Sequence, residues 1–451
     1  MVGTFITVLD YFIANVAVPS IQRELNAGHA HAQFVIVGYG VAFTAGMITG
    51  GRMGDLYGRR RMFALGLALF TVASALCGLA PNADILVAAR VFQGLAASLM
   101  VPQVLGVIGT VYTGPSRAAA FNVYGVVVGL AGVFGQLIGG ALITVDVAGL
   151  NWRTIFLINI PIGAVALACV FRFVPESRNP RGTRLDLTGA ALVTTALALL
   201  VSGLVEGQEQ GRPVWSRVAP AGAVLLTVLA VRHLRRRGRE GRGPLIDPAL
   251  FRGRTFSIGL TATVTYFLAM GSFFFLLALY LQQGRGLSPL ASGLVFLALG
   301  AGYFGSSVIS TGLAPRLGHK LVASGPLTLA LGYVLIGSTV TATGSEGHVL
   351  WLVPSLLIAG MGMGMTTGPL TNLVLSGVGQ EHAASASGAV NTAQEGGAAI
   401  GVAFAGTVFF PALGAATPAD YPPAFGASLI PLIVCCVAAS VLILRSHAKR
   451  A

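Results

Sequence analysis

The chain is predicted to be an all-α polytopic membrane protein: two six-helix halves plus two extra central helices, fourteen transmembrane helices in all. Three observations predict it. Of its 451 residues, 55% are hydrophobic and only 10% charged, whereas a soluble chain of this length carries far more charge. Apolar stretches of about 20 residues recur along the whole length, as a hydrocarbon core roughly 30 Å thick requires. Barrel-type alternation is absent, so each span is read as a helix that satisfies its own backbone hydrogen bonds.

The spans are predicted at 3–19, 31–51, 62–80, 85–111, 119–144, 154–174, 187–205, 218–232, 255–281, 289–312, 321–341, 350–375, 385–410 and 427–444. The first, around "FITVLDYFIANVAVP" (5–19), is apolar or small except for Thr7, Asp10, Tyr11 and Asn15, with Asp10 about midway. No cleavable signal is evident and no basic leader precedes it, the pattern expected of a truncated start. The second span runs into "GGRMGDLYGRRRM" (50–62), a glycine-punctuated turn rich in cations. The fourth holds Arg90, the only cation inside a span away from its ends, with Gln93 and Gly94 on its face at i+3 and i+4. In the fifth, Gly125, Gly129, Gly132, Gln136 and Gly139 form a stripe of the kind that lets helices approach closely in lipid. The eighth span runs into "RHLRRRGREGR" (232–242). In the twelfth, "GMGMGMTTGP" (360–369) mimics a dinucleotide loop, but no strand precedes it, and helix packing is the better reading. The thirteenth carries Glu395 near its middle, with Asn391, Thr392 and Gly388 on the same polar face.

An even number of spans puts both termini on one side. Most of the 28 lysines and arginines lie on that side, with only Arg23, Arg153, Arg212, Arg217 and Arg285 opposite. The positive-inside rule therefore predicts a multi-pass protein of the cell membrane with both termini cytoplasmic. The formal net charge of +13 is read as topology signal lying against anionic lipid, not as a nucleic-acid patch. Cys77, Cys169, Cys435 and Cys436 all fall in predicted spans, lack metal-ligand spacing and are expected to pack as small hydrophobes.

Internal repetition divides the chain further. "TGLAPRLGHKL" (311–321) repeats the pattern of 50–62: an apolar helix, a glycine turn, then cations. This predicts halves at 1–174 and 255–451, with 175–254 a linker holding the two extra helices and the basic loop. Parallel repeats of this kind are used by alternating-access carriers.

At this point the sequence resembles a family. "GRMGDLYGRR" (51–60) resembles motif A of the major facilitator superfamily, "RVFQG" (90–94) its motif B and "GVFGQLIGG" (132–140) its motif C. "LDYFIANVAVP" (9–19) and "NWRTIFLINIPIG" (151–163) resemble the first- and sixth-span motifs of the fourteen-span drug–proton antiporter branch. Phe12, Gln136 and Pro315 depart from the family pattern: Phe12 stands where the branch has Thr, Gln136 replaces a proline, and Pro315 occupies the position equivalent to Asp55. The resemblance implies a major facilitator fold and proton-coupled efflux of small amphipathic or cationic molecules. It further implies a cytoplasmic gate at Gly51, Gly54, Asp55, Gly58, Arg59 and Arg60, read as exposed and able to latch the two halves, and an antiporter helix through Gly132, Gly135, Gln136, Gly139 and Gly140. Arg90 would tune a proton-carrying carboxylate.

The residues support parts of this independently. A carboxylate at bilayer depth is costly unless protonated or paired, so Asp10 marks an ion or proton pathway by default. Desolvation favours a neutral carboxyl and a nearby cation favours the ionised form, so a proton and a cationic substrate can compete for one group. The alternatives are a structural carboxyl at Asp10, a structural ion pair at Arg90, and a packing hydrogen bond at Glu395, which is otherwise a second proton site or a cation contact. Tyr39, Gln93, Tyr124 and Phe273 are candidate substrate-cavity residues, chosen on composition. Neither a Walker loop nor a nucleophile elbow is present, so no enzyme and no cofactor is expected. An ion gradient then becomes the energy source, at about 2.3 kcal/mol per charge per 100 mV. Expected partners are a small-molecule substrate, protons and membrane lipid, with no metal or nucleic acid, the protein being monomeric. A dedicated exporter of one metabolite is the alternative within transport; a lipid-modifying membrane enzyme or a sensor is the alternative from another class.

Overall fold

The computed structural model describes residues 1–112, 114–177, 185–209, 213–240, 244–376, 378, 383–414 and 416–447. Arg212, read from the sequence as part of an outer loop, lies outside the described residues. Among these residues, fourteen helices are long and apolar enough to cross a membrane, as the spacing of apolar runs predicts. The chain divides into two compact units, Met1–Pro248 and Ala249–Ala451.

The first unit contains α1 (Val2–Leu25), α2 (His29–Tyr57), α3 (Arg59–Gly78), α4 (Ala83–Val111) and α5 (Gly114–Val145). A short α6 (Thr154–Leu157) and α7 (Asn159–Phe173) together make the sixth crossing, and the extra pair is α8 (Leu187–Glu209) and α9 (Val214–Arg239). Helix α1 runs past the predicted end through Pro19, and the left-handed Asn26 stops it. Helix α9 runs seven residues beyond its predicted boundary at 232, because its basic residues carry the helix past the apolar stretch. Glycines set the crossing of α2 and α4: a Cβ on Gly50 would collide with the Ser98 carbonyl, and one on Gly94 with that of Tyr39. A core of Ile13, Val16, Val35, Cys77, Leu86, Trp152 and Phe156 closes α1–α4 against the sixth crossing. Of the four cysteines, Cys77 and Cys436 are buried, but Cys169 is exposed, so the packing expected of it does not hold. Helix α8 packs on α9 and on α2.

The second unit contains α10 (Arg254–Leu279), extended by a π-helical turn at Tyr280–Gly284, then α11 (Pro289–Leu317) and α12 (His319–Thr343). It finishes with α13 (Val353–Leu375), α14 (Ala383–Leu413) and α15 (Tyr421–His447). Helix α10 packs on α14 and α15, and α13 lies between α11 and α12. The "GMGMGMTTGP" stretch is a packing seam, as the sequence predicts. A Cβ on Gly360 or Gly364 would strike the backbone of α11, and one on Gly362 that of α12. Helices without a hydrophobic driving force between them gain contact only by such close approach. Gly362→Val is therefore expected to cost about 1–3 kcal/mol through overpacking, whereas Gly368→Val, which meets nothing within 4 Å, should change stability by less than roughly 0.5 kcal/mol. Thermal unfolding of the two variants in detergent checks this.

Candidate functional site

The first unit gathers polar side chains from α1, α3, α4 and α7 into one buried knot. The side chains of Asp10 and Arg90 are both 0% exposed, which in a membrane span is tolerable only with each charge compensated. Arg90 Nη1 donates to Asp10 Oδ2 and, at 2.6 Å, to Gln93 Oε1. Its Nε donates to the Val35 carbonyl at 2.8 Å, and its guanidinium lies 4.3 Å from the Tyr39 ring centroid and 5.5 Å from that of Phe156.

The other carboxylate oxygen is held by two amides. Gln93 Nε2 donates to Asp10 Oδ1 at 3.0 Å and Asn159 Nδ2 donates to it at 2.9 Å. Both amides also donate to Ser74 Oγ, at 2.8 and 3.2 Å. Helix periodicity explains the convergence: Arg90 and Gln93 lie one turn apart on α4, as do Ser74 and Cys77 on α3. The carboxylate is thus met by one cation and two amides. Protonation of Asp10 would weaken its hold on Arg90, so in chemical terms the pair has two states.

The sequence reading pairs Asp10 with Arg90 and places Gln93 beside them. It does not single out Asn159 or Ser74. Asn159 had the same signal as Asp10, a lone polar group inside an apolar run; Ser74 had none, because serine is common in such helices. Tyr39 and Gln93 were expected to line a cavity, and instead both are part of the buried knot: Tyr39 is 1% exposed and its hydroxyl donates to the Thr7 carbonyl at 3.3 Å. Phe273 is also fully buried, with its ring 4.5 Å from that of Tyr333. Tyr124 is half-buried on α5.

On α5, the glycine stripe meets α1. Gly132 faces the Phe12 ring, Gly135 faces Phe12 and the Leu9 carbonyl, and Gly139 faces Ile13. Gly125 meets nothing within 4 Å, so only the later part of the stripe is in close contact. Gln136 is fully buried, and neither amide atom has a hydrogen-bond partner among the described residues.

The glycine turn between α2 and α3 is more buried than expected. Asp55, Arg59 and Arg60 are half-buried, not exposed. Gly58 sits at φ +107°, a conformation that favours glycine. Asp55 Oδ1 pairs with Arg59 Nη2 at 2.8 Å, and Arg59 Nη1 donates to the Gly106 carbonyl of α4 at 2.7 Å. The Arg60 backbone N–H donates to Glu176 Oε1 at 3.2 Å, and the same carboxylate lies 3.7 Å from Arg61. Glu176 and Gly106 were not legible as partners, since both are remote in sequence. On α14, Glu395 is half-buried and forms no hydrogen bond or ion pair with a described residue, while its neighbour Gln394 donates to Thr371 at 2.9 Å.

The extra helices are fastened beside the glycine turn by Asp186, whose side chain is 0% exposed. Burial pushes its carboxyl up, but a hydrogen bond from His233, the Gly189 and Leu245 N–H groups and the charge of Arg237 together hold it below the ordinary carboxylate range. Arg52, on α2 and within the glycine-rich motif, donates to the Pro244 and Leu245 carbonyls.

A family model described as Major Facilitator Superfamily matches residues 1–402. The chain belongs to the Major Facilitator Superfamily. It is therefore a multi-pass membrane transporter and not an enzyme. It is 37% identical over 421 residues to the "Probable actinorhodin transporter" of Streptomyces coelicolor, covering 91% of this chain and 72% of that one. The "Puromycin resistance protein pur8" of Streptomyces alboniger is 32% identical over 411 residues, covering 90% of this chain and 80% of that one. The "Drug efflux pump JefA" of Mycobacterium tuberculosis is 32% identical over 422 residues, covering 92% and 80%. Among solved structures, a D-xylose–proton symporter superposes with a TM-score of 0.65 at 17% identity, covering 98% of this chain and 95% of that one. A POT family transporter in complex with 5-aminolevulinic acid gives a TM-score of 0.69 at 16% identity, with the same coverage. Both superpositions show the shared fold.

Proposed function

We propose that this transporter exports amphipathic, cationic small molecules in exchange for protons by alternating access, with both termini in the cytoplasm. One observation carries the reading: a carboxylate at membrane depth, Asp10, is buried against a single arginine and two amides. Such a group changes its interactions when it gains a proton, which is what coupling requires. The names of the similar proteins, which refer to actinorhodin transport, to puromycin resistance and to drug efflux, support a small-molecule substrate and the outward direction. Glu395, half-buried and without a hydrogen bond or ion pair among the described residues, fits a second proton site or a contact for the substrate cation. The test is efflux of a cationic dye from vesicles with an imposed pH gradient; efflux that ignores the gradient would defeat the proposal. A second reading, a dedicated exporter of one compound, is favoured by similarity to a transporter named for a single product. Screening many dyes and antibiotics separates the two.

The gate reading follows. We infer that Asp55 and Arg59 help latch the cytoplasmic side, so Asp55→Asn should slow efflux by about tenfold, a typical coupling effect. Equilibrium substrate affinity should stay nearly unchanged, because a latch alters the balance of states and not the binding groups. Tracer efflux and equilibrium binding in detergent check this together; a large loss of affinity with the fold intact would count against it.

A further inference from the structure

A trough runs between α2, α4 and α8, within the first unit and away from the Asp10 knot. Its volume is about 570 Å³, within the range of ligand pockets. The walls are apolar, with Phe34 and Val41 from α2, Val87 and Leu95 from α4, and Ala198 and Val201 from α8. From Thr194 to Glu206 the α8 wall extends roughly 18 Å along the helix axis. One end is polar: there α2 and α4 begin, α8 ends, and His31, Asp84 and Glu206 line the rim.

Among the described residues the charges at that end are not balanced. His31 Nε2 pairs with Asp84 Oδ1 at 3.0 Å, so those two groups answer each other. Glu206 is half-buried, lies within a membrane-crossing helix, and forms no hydrogen bond or ion pair with a described residue. Glu206 stands at the end of that crossing, Leu187–Gly207, where a half-buried carboxylate at the mouth of an apolar trough attracts a cation. The apolar walls below it call for a hydrocarbon chain. We propose that the trough binds a single-chain amphiphile with a cationic head: the alkyl chain lies along α8 and the ammonium group sits against Glu206. An anionic amphiphile would set its head group against the Glu206 carboxylate and is disfavoured by that charge. This site is separate from the Asp10 knot, and its occupancy does not depend on proton coupling.

The experiment uses the full chain in nanodiscs of zwitterionic lipid and a dodecyltrimethylammonium probe carrying a diazirine at the chain end. After irradiation, mass spectrometry should find adducts on α2, α4 and α8 at the trough walls. Unlabelled dodecyltrimethylammonium should compete, and dodecyl sulfate should not. Glu206→Gln should weaken the ammonium competitor about tenfold, the equivalent of roughly 1.4 kcal/mol, without changing thermal stability, since Glu206 has no hydrogen-bond or ion-pair partner among the described residues. Ala198→Leu, which narrows the trough, should reduce wall labelling while Glu206 remains in place. The proposal is overturned if dodecyl sulfate competes as well as the ammonium, or if Glu206→Gln leaves the competition unchanged. Either result would mean that any lipid chain fills the trough.

Discussion

Asp10→Asn is expected to abolish pH-gradient-driven efflux of a cation from vesicles and to destabilise the folded protein by about 3 kcal/mol. The first effect follows from the proposed chemistry: asparagine keeps the size and much of the hydrogen bonding of aspartate but cannot exchange a proton at neutral pH. The second follows from Arg90, which is wholly buried and whose carboxylate partner among the described residues is Asp10. From the sequence alone the variant is expected to insert and fold. The knot adds a cost in stability. With asparagine in place of Asp10, the guanidinium charge stays buried without a counter-charge, and breaking a buried pair from one side costs more than removing both partners. The double variant Asp10→Asn/Arg90→Met should therefore recover most of the lost stability while remaining inactive. Thermal unfolding in detergent and efflux in vesicles, measured on wild type, both single variants and the double, give the full cycle. Full gradient-driven transport in Asp10→Asn would place the proton elsewhere, with Glu395 the leading candidate.

Glu395→Gln is expected to behave in the opposite way, with little change in stability and a large change in transport. The carboxylate has no hydrogen bond or ion pair to lose among the described residues, so the unfolding free energy should move by less than about 0.5 kcal/mol. If the group contacts a proton or a cationic substrate, efflux of a monovalent cation should fall roughly tenfold, the equivalent of about 1.4 kcal/mol. Efflux of a neutral amphiphile, measured in the same vesicles, should fall less if the contact is with the substrate and equally if it is with the proton. A marked loss of stability with transport preserved would assign Glu395 to helix packing.

Hydropathy and motifs alone set the number of crossings, their helical nature and the family. Lipid leaves backbone groups only one way to be satisfied within a single span, so length and hydropathy suffice to count helices. Three motifs in order, at residues 51–60, 90–94 and 132–140, name the superfamily. The same reasoning marked Asp10, Arg90 and Glu395, because an ionisable group inside an apolar run is conspicuous whatever surrounds it. It also read 360–369 correctly as a packing seam, since glycines at helical spacing mean close approach in lipid.

Which of those charges are paired was settled only by the way the helices cross. Asp10 meets a cation across 80 residues of chain and an amide across 149, while Glu395 meets neither among the described residues; no local pattern distinguishes the two. Polar partners that resemble ordinary helix residues, such as Ser74 and Asn159, become functional candidates only when the fold sets them against a carboxylate. The same holds for Tyr39, Gln93 and Phe273, which composition suggested for a cavity and packing buried instead. Glu206, at a span's end, lines an apolar trough only because α2 and α4 pack beside α8. Periodicity along one helix determines which residues share a face, but the neighbour that face meets depends on chain crossings far away in sequence, and pairing energies at membrane depth depend on that neighbour.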